Sequence, residues 1–380
     1  MEPTPYRFEN SLPDELLQQR QQPRIEDIRG RYFRDTTAII HCNPFRRLKH
    51  KTQVFFSPKN DHICTRIEHV MHVASIAAAV CRGLDLDADL AWAIGLGHDL
   101  GHTPFGHVGE HIMADIRKDS GGFVHELYSL RVVDHLIGYG KGLNLTYAVR
   151  DGIVSHCGEK FEQSIIPVQE IKDLGSLTGR NHLPSTWEGA VVRMADKIAY
   201  LGRDLEDALQ LKIVKRGDVP EEIVTSLGAE NGVIINTLVN DLIDTSRKNG
   251  AIAFSDEKYH AMKVLTEFNY RNIYRNPLLS DYHRYFDRIL RSLFDYLEDL
   301  FDRYRFDETQ YRREKNLLAV RFGDYVCKMR SFYEGEDGGF RNLAVDYVAG
   351  MTDDYALECI QEIMLPQKME TQFDQFLLGN

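Results

Sequence analysis

The segment GHDLGHTPFGHVGEH, residues 97–111, holds four histidines, one aspartate and one glutamate in fifteen positions. Gly101 and Pro104 are expected to end the preceding helix, because glycine and proline interrupt helical hydrogen bonding. Twelve of the fifteen histidines lie between His41 and His156. The chemistry of the protein is therefore expected in the first half of the chain, around this segment.

Composition limits the functions that this chemistry can serve. The chain has 380 residues, of which 43% are hydrophobic and 27% charged, as is ordinary for a globular protein. No apolar run approaches the ~18 residues of a membrane span, and the first residues are polar and acidic, so we expect a cytoplasmic protein without a membrane partner. Six cysteines without a CxxC pair indicate free thiols, and a net charge of -11 disfavours general nucleic-acid binding.

Helical periodicity dominates the chain after an irregular beginning, which predicts an all-α fold with at most short β pieces. Only residues 52–56 and 211–214 resemble strands. We predict an N-terminal arm over residues 1–24, a main domain over 25–280, and a C-terminal helical extension over 281–380 that packs on the same body.

Two predicted helices place polar side chains on otherwise apolar faces. Residues 66–82 put His69 on the inward stripe of an amphipathic helix. Residues 87–100 put His98 on a similar stripe, with Asp99 beside it where the helix ends. A single histidine on an apolar face is more often a hydrogen-bonded core residue, so neither helix alone establishes a metal ligand.

A third helix, residues 185–209, adds a carboxylate. Ser185 and Glu188 have the spacing of a capping box at its start, and Asp196 lies on its apolar face. A buried carboxylate is costly without a cation, so Asp196 is expected to have one. With His69 and the His98–Asp99 pair it completes a two-histidine, two-carboxylate set suited to Mn²⁺, Fe²⁺, Mg²⁺, Ni²⁺ or Zn²⁺.

His107 and Glu110 lie three residues apart after Gly106 and are expected on one helix face. The glutamate can orient and polarise the imidazole, as in a general acid or base. The alternative is that Glu110 only caps the helix while His107 binds phosphate. Arg66 lies one turn from His69, and a second cation, Lys197, follows the carboxylate of the third helix, so both can approach phosphate oxygens near the same ion.

These residues lie within a series of motifs that resembles the deoxyguanosine triphosphate triphosphohydrolase family of HD-domain metal-dependent phosphohydrolases. The motifs, in order, are FRRLKHKTQVF (45–55), TRIEHVMHVASIA (65–77), GHDLGHTPFGHVGE (97–110), GGFVHELYSLRVV (121–133), RMADKIAYLGRDLEDA (193–208) and NIYRNP (272–277). Many members have Asn and Gln where this chain has Glu126 and Tyr128. That difference concerns the substrate pocket and base preference rather than the metal set.

The resemblance implies hydrolysis of a deoxynucleoside triphosphate, dGTP or other dNTPs, to a deoxynucleoside and inorganic triphosphate. It implies a homo-oligomer and a nucleotide activator as partners. It also implies these roles: metal ligands His69, His98, Asp99 and Asp196; catalytic residues His107 and Glu110; and substrate-binding residues Gln53, Arg66, His102, His125, Lys197, Tyr200 and Asp204.

Two other functions remain open from the residues. An HD phosphohydrolase of another specificity, such as a nucleotidase or a cyclic nucleotide phosphodiesterase, would use the same metal set. It would have little need for Arg66, Lys197 and the 45–55 segment. A non-enzymatic nucleotide sensor would not need the complete metal set together with His107 and Glu110.

Overall fold

The structure, a computed structural model, describes residues 6–25, 27–56, 60–157, 162–336 and 339–365. Those residues are mainly helical, with one pair of two-residue strands, so the predicted all-α class is confirmed. The α-helices are α1 (Asp14–Leu17), α2 (Arg31–His41), α3 (Asn43–Arg47), α4 (Arg66–Gly83), α5 (Ala88–Gly97), α6 (Gly106–Ile116), α7 (His125–Arg131), α8 (Tyr147–Val154), α9 (Trp187–Gln210), α10 (Glu221–Ser226), α11 (Asn231–Asn249), α12 (Asp256–Asn269), α13 (Pro277–Tyr304), α14 (Glu308–Arg313), α15 (Leu317–Gly335), α16 (Leu343–Ala349) and α17 (Asp353–Met364).

The predicted strand segments are wrong. The strands are β1 (Ser164–Ile165) and β2 (Ile252–Ala253), which pair antiparallel. Residues 52–56 do alternate in burial, but they form only one isolated bridge, between Thr52 and Thr65. Residues 211–214 form turns after α9. A period-two pattern produces a strand only where a second segment supplies the hydrogen-bonding partner.

Helices α4 and α5 lie at the centre of the molecule, where they pack on each other and on α9. Seven of the ten residues of α5 are buried, so this helix is covered on nearly all sides. The two helices cross closely at Gly95, where an added Cβ would lie 2.6 Å from the Ala74 Cα. This crossing holds the C-terminal end of α5 next to the first turns of α4.

The start of α9 differs from the predicted capping box. Thr186, not Ser185, is the N-cap, and its hydroxyl accepts the Gly189 backbone N–H at 3.1 Å. Glu188 instead accepts from the Asn10 side-chain amide at 2.8 Å and from the Asp87 backbone N–H at 3.1 Å. Glu188 therefore joins α9 to the N-terminal segment and to the start of α5.

Both ends of the described chain contact the helical body. In the N-terminal segment, Phe8 is buried and packs edge to face on Trp187, with ring centroids 4.9 Å apart. On the C-terminal side, α13 packs on α6, α16 and α17. Residues 1–5 of the predicted arm and 366–380 of the predicted extension lie outside the described residues, and the domain boundaries stay a prediction. Among the described helices, none combines the length and apolar character of a membrane span.

Candidate active site

The four proposed metal ligands come from three helices and lie together. His69 is in the first turn of α4, His98 and Asp99 directly follow α5, and Asp196 is in the middle of α9. His69 Nε2 lies 3.1 Å from Asp196 Oδ1 and 3.9 Å from Asp99 Oδ2. His98 Nε2 lies 3.7 Å from Asp99 Oδ1 and 4.0 Å from Asp196 Oδ1. Ligand atoms of His69, His98 and Asp99 all lie within 4.8 Å of one another, close enough to hold one ion.

The protonation of His98 fits a metal ligand. Its Nδ1 lies 2.7 Å from the carbonyl oxygen of Gly95, which can only accept, so Nδ1 carries the proton and Nε2 presents a lone pair. That Nε2 is buried and has no hydrogen-bond partner among the described residues. Burial lowers the pKa of His98 to about 4, which keeps the imidazole neutral. A divalent cation therefore fits the donor set, and these residues leave its identity open.

The aspartate on α9 is also suited to a cation. Burial by itself would raise the pKa of Asp196, but the hydrogen bond and charge of His69 lower it below its ordinary value. Burial by itself would lower the pKa of His69, but the hydrogen bond and charge of Asp196 raise it. A bound ion would replace the proton that His69 shares with Asp196, because ionised carboxylates and neutral imidazole nitrogens are the ligand types that divalent transition metals take in proteins.

Arg66 is buried against the same cluster. Its Nη1 donates to the Asp99 carboxylate, and its Nε donates to the carbonyl of Thr52 at 3.3 Å. Its Nη2 is buried and makes no hydrogen bond to any described residue. One arm of the guanidinium thus orients a proposed metal ligand, and the other arm has donors to offer an anion.

Lys197 follows Asp196 and is also buried, and its Nζ donates to Glu162 Oε2 at 3.1 Å. Arg193 holds the same carboxylate through Nε at 3.0 Å and Nη2 at 2.5 Å. The sequence reasoning missed both Glu162 and Arg193. Arg193 had a readable signal, because it lies three residues before Asp196 on the same face of α9. Glu162 had none, because its partners are more than thirty residues away.

Helix α6 carries the proposed catalytic pair. His107 is 64% exposed at the side chain, whereas Glu110 is buried, and His107 Nδ1 lies 3.6 Å from Glu110 Oε2. The other oxygen of Glu110 accepts from Arg180 and from the backbone N–H and Nδ1 of His125, the last two at 3.0 Å each. Burial would raise the pKa of Glu110, but His125 and His107 together lower it below its ordinary value. Glu110 therefore remains a carboxylate that holds several cationic groups.

A stack of histidines joins this pair to the metal cluster. His102 and His125 stack with ring centroids 4.1 Å apart, and His102 Nε2 lies 3.3 Å from Asp99 Oδ1. His156, which the sequence reasoning did not assign, places Nε2 3.2 Å from His125 Nε2. Its Nδ1 donates to the Ile153 carbonyl at 2.7 Å, as His98 does to its own helix. His156 lies beyond the end of α8, where no helical stripe would have pointed to it.

The two positions that depart from the family pattern differ in their surroundings. Glu126 is buried, with Oε2 3.2 Å from His125 Nδ1 and 3.7 Å from Arg180 Nε. Glu126 is therefore a second carboxylate beside His125. Burial by itself would lower the pKa of His125, but the charges of Glu110 and Glu126 raise it to about 9. Tyr128 donates to the Asp346 carbonyl at 3.1 Å, so its hydroxyl is bound to the C-terminal region.

The three residues proposed for sugar and base are spread around the cluster. Gln53 is buried near the start of α6, and its Oε1 has no hydrogen-bond partner among the described residues. Tyr200 is half-buried one turn after Asp196 on α9. Asp204, one turn further, is buried and accepts from the Tyr274 hydroxyl, and burial raises its pKa to about 7. Within the part of the chain that the structure describes, no hydrogen bond or ion pair joins Gln53 to Tyr200 or Asp204.

Comparison with known families agrees with this description. Residues 66–201 match the family described as HD domain, and residues 252–362 match the phosphohydrolase-associated domain. The first match contains all four proposed metal ligands. The all-α fold and this match define a phosphohydrolase of the metal-dependent HD class.

Curated relatives identify a more specific family within this class. The chain is 40% identical over 340 residues to a deoxyguanosinetriphosphate triphosphohydrolase-like protein of Caldanaerobacter subterraneus, covering 90% of this chain and 86% of the relative. It is 38% identical to a protein of the same name from Desulfatibacillum aliphaticivorans, covering 90% of each chain. A Clostridium tetani relative of that name is 32% identical, over 90% and 88% of the two chains. The chain belongs to the family of deoxyguanosinetriphosphate triphosphohydrolase-like proteins.

Proposed function

We propose that this protein hydrolyses deoxynucleoside triphosphates at the α-phosphorus, releasing the deoxynucleoside and inorganic triphosphate. The observation that carries the proposal is the convergence of His69, His98, Asp99 and Asp196 from three helices, with the unpartnered Arg66 Nη2 beside them. The names of the curated relatives support the same substrate class. A divalent ion held by these four side chains would supply Lewis-acid activation of water and phosphate.

The cations of the site are suited to bind and orient the triphosphate. Arg66 can donate from Nη2 to a phosphate oxygen while its Nη1 stays on Asp99. The stacked His102–His125 pair lies against Asp99, and Lys197, which donates to Glu162, follows the proposed ligand Asp196. Fixed donors that surround the α-phosphate can hold it for in-line attack and stabilise the charge that develops in the transition state.

Proton transfer is assigned to His107 and Glu110. Cleavage joins the water oxygen to the α-phosphorus and breaks the bond from phosphorus to O5′, so water must lose a proton and O5′ must gain one. His107 is exposed enough to meet the substrate, and the Glu110 carboxylate lies 3.6 Å from its Nδ1. We assign His107 as the acid that protonates O5′, with Glu110 as the group that orients it; the attacking water releases its proton to solvent, from which the exposed His107 regains one.

The sugar is assigned to the side of the cluster formed by α9, and the base to the loop of Gln53 beside α6. Tyr200 lies one turn from Asp196, where its ring would lie against the deoxyribose and leave little room for a 2′-hydroxyl. Asp204 would accept from the 3′-hydroxyl. Gln53 has a buried side-chain carbonyl oxygen without a hydrogen-bond partner in the described ranges, which suits an amino or amide N–H of the base.

The experiment that tests this function analyses the products of a nucleotide panel. Each dNTP and rNTP is incubated with Mn²⁺ or Mg²⁺, and the anions are separated by anion exchange. We expect inorganic triphosphate as first product, and ribonucleotide rates at least about tenfold lower. Pyrophosphate as first product would indicate another HD hydrolase, equal rates on ribonucleotides would contradict the sugar assignment, and nucleotide binding without products would indicate a sensor.

The remaining expectations concern assembly and control. We propose a homo-oligomer, which light scattering tests against the monomer mass of 43.8 kDa, with and without nucleotide. Particles of monomer mass under both conditions would contradict it. A nucleotide activator and a cytoplasmic location stay predictions from the sequence.

A further inference from the structure

A carboxylate from the C-terminal region binds two loops of the candidate active site. Asp353, the first residue of α17, is 4% exposed. Its Oδ2 accepts the backbone N–H of Thr52 at 2.9 Å, and its Oδ1 accepts the backbone N–H of Phe105 at 2.9 Å. Thr52 precedes Gln53, and Phe105 begins the turn into α6. One side chain therefore joins three segments that are far apart in sequence.

The turn that Asp353 holds has an unfavourable backbone. Phe105 and Gly106 have φ of 64° and 58°, and the left-handed region is disfavoured for a residue with a Cβ. An added Cβ on Gly106 would lie 3.2 Å from the Gln53 carbonyl oxygen and 3.5 Å from Arg66 Nη2. The turn is thus packed tightly against the loop of Gln53. His107 is the next residue, so the geometry of this turn sets where its imidazole points.

A second bond from the same region supports the loops. Lys51 Nζ is buried and donates to the carbonyl of His102 and, at 3.1 Å, to the carbonyl of Ala349. Ala349 ends α16, four residues before Asp353. The C-terminal region thus contacts the 51–53 segment twice, through the Asp353 carboxylate and the Ala349 carbonyl, and Lys51 joins that segment to His102.

Asp353 is not needed to cap its own helix. The N-cap of α17 is Thr352, whose hydroxyl accepts the Tyr355 N–H at 3.2 Å. Asp354 provides a second acidic group in the same first turn, and its side chain is 64% exposed. Burying a carboxylate costs free energy, and the helix does not need this one as a cap. We therefore expect Asp353 to have another role.

We propose that Asp353 is a positioning residue for catalysis: it fixes the Phe105–Gly106 turn and the Thr52–Gln53 loop so that His107 and Gln53 face one substrate. The proposal rests on the proposed function. It makes the C-terminal region part of the active-site structure, although the proposed metal ligands all lie in the HD domain.

The test compares Asp353→Asn with Asp354→Asn, which removes the same charge from the same helix turn. In Asp353→Asn the new amide group can accept from only one of the two loops and turns its own N–H towards the other. We expect kcat to fall at least tenfold in Asp353→Asn, with bound metal unchanged. We also expect faster hydrogen exchange at the Thr52 and Phe105 amides, and wild-type values for Asp354→Asn.

The outcomes separate the proposals. A folded Asp353→Asn protein with faster exchange at both amides but unchanged kcat and KM would overturn the positioning role. If this variant does not fold, Asp353→Glu, which keeps the charge and shifts the carboxylate, replaces it under the same criteria. Failure of the unaltered chain to hydrolyse any nucleotide would overturn the proposed function, while amide exchange would still report on the bonds to the two loops.

Discussion

At the scale of single residues, the candidate site is a set of buried charges that neutralise one another. Asp99 lies against Arg66, and Glu110 against His125 and Arg180, with little exposure of any carboxylate. Removing one partner of such a pair leaves an uncompensated buried charge, which is costly. Substitutions at exposed or singly bonded groups therefore give cleaner tests than substitutions of the paired charges.

The exposed imidazole of His107 offers one such test. His107→Ala is expected to lower kcat by ~10² or more with little change in KM, because a proton-transfer group acts only in the transition state. His111→Ala is the matched control, since His111 is an exposed histidine one turn later on α6. Steady-state kinetics on the preferred dNTP measure both. Equal effects of the two substitutions on KM alone would favour a phosphate-binding role for His107.

The burial of Asp204 predicts that the stability of the protein depends on pH. Burial raises its folded-state pKa to about 7 from 3.8, so the folded state binds its proton more tightly than the unfolded state does. This contribution to stability is complete below about pH 4 and is lost as the pH rises through 7. Asp204→Asn, which keeps an acceptor for Tyr274, should be neutral near pH 4 and should stabilise by about 1–3 kcal/mol at pH 8. Denaturant unfolding at the two pH values measures the difference.

The same Asp204→Asn protein should bind substrate less well if the carboxylate receives the 3′-hydroxyl. A stabilisation that does not depend on pH would contradict the raised pKa. A wild-type KM together with pH-dependent stabilisation would leave the burial argument intact and remove Asp204 from the substrate site.

At the scale of elements, the site depends on how closely α4 and α5 approach. The proposed ligands His69 and His98 belong to these two helices, and their separation is set at the contact between Ala74 and Gly95. Interiors packed at this density accept little added volume. Small residues at this crossing are therefore required for the site as well as for the core.

Gly95→Ala tests the crossing. Its Cβ would lie 2.6 Å from the Ala74 Cα, so the helices must separate, and a loss of about 1–3 kcal/mol is expected together with weaker metal binding. Gly232→Ala on α11 is the control, because no atom lies within 4 Å of its added Cβ. There the same change should be neutral or stabilise by up to about 1 kcal/mol. Equal stability of the two variants would show that α4 and α5 can move apart freely.

At the scale of the whole molecule, the proposed metal ion would connect α4, α5 and α9, while the C-terminal region binds the two loops of the candidate active site. The proposed ligands lie on, or directly after, three helices. These helices, α4, α5 and α9, pack on one another. The ion would therefore act as a crosslink between them, because a ligand that binds only the folded state stabilises that state.

Removal of the metal is expected to lower the melting temperature and abolish activity. At an ion concentration of 100 times Kd the loss corresponds to about 2.7 kcal/mol. Re-addition of Mn²⁺ should restore both properties in the unaltered protein and neither in Asp196→Asn. Calorimetry and elemental analysis provide the measurement. Full metal content and activity in Asp196→Asn would exclude the four-ligand set.

Helical periodicity in the sequence is enough to predict the all-α class, which the structure confirms, and local spacing predicts candidate site residues. Residues 66–82 were predicted as a helix that carries His69 inward, and α4 spans Arg66–Gly83 with His69 buried. Helical periodicity repeats every few residues, so such a face can be read within one segment. The capping residue was misplaced by one position, since Ser185 and Thr186 are both suitable caps and only the backbone path selects between them.

The partners of the buried charges are visible only once the chain has folded. Glu162 for Lys197, His156 for His125, and Asp353 for the loops of the active site come from segments that no short pattern connects. Asp353 and Thr52 are 301 residues apart. Nearby residues produce periodic signals because one helix holds them, whereas a charge on a remote segment is matched only when the whole chain packs. Candidate residues of the site can therefore be predicted from the sequence, but the contacts that hold them together cannot.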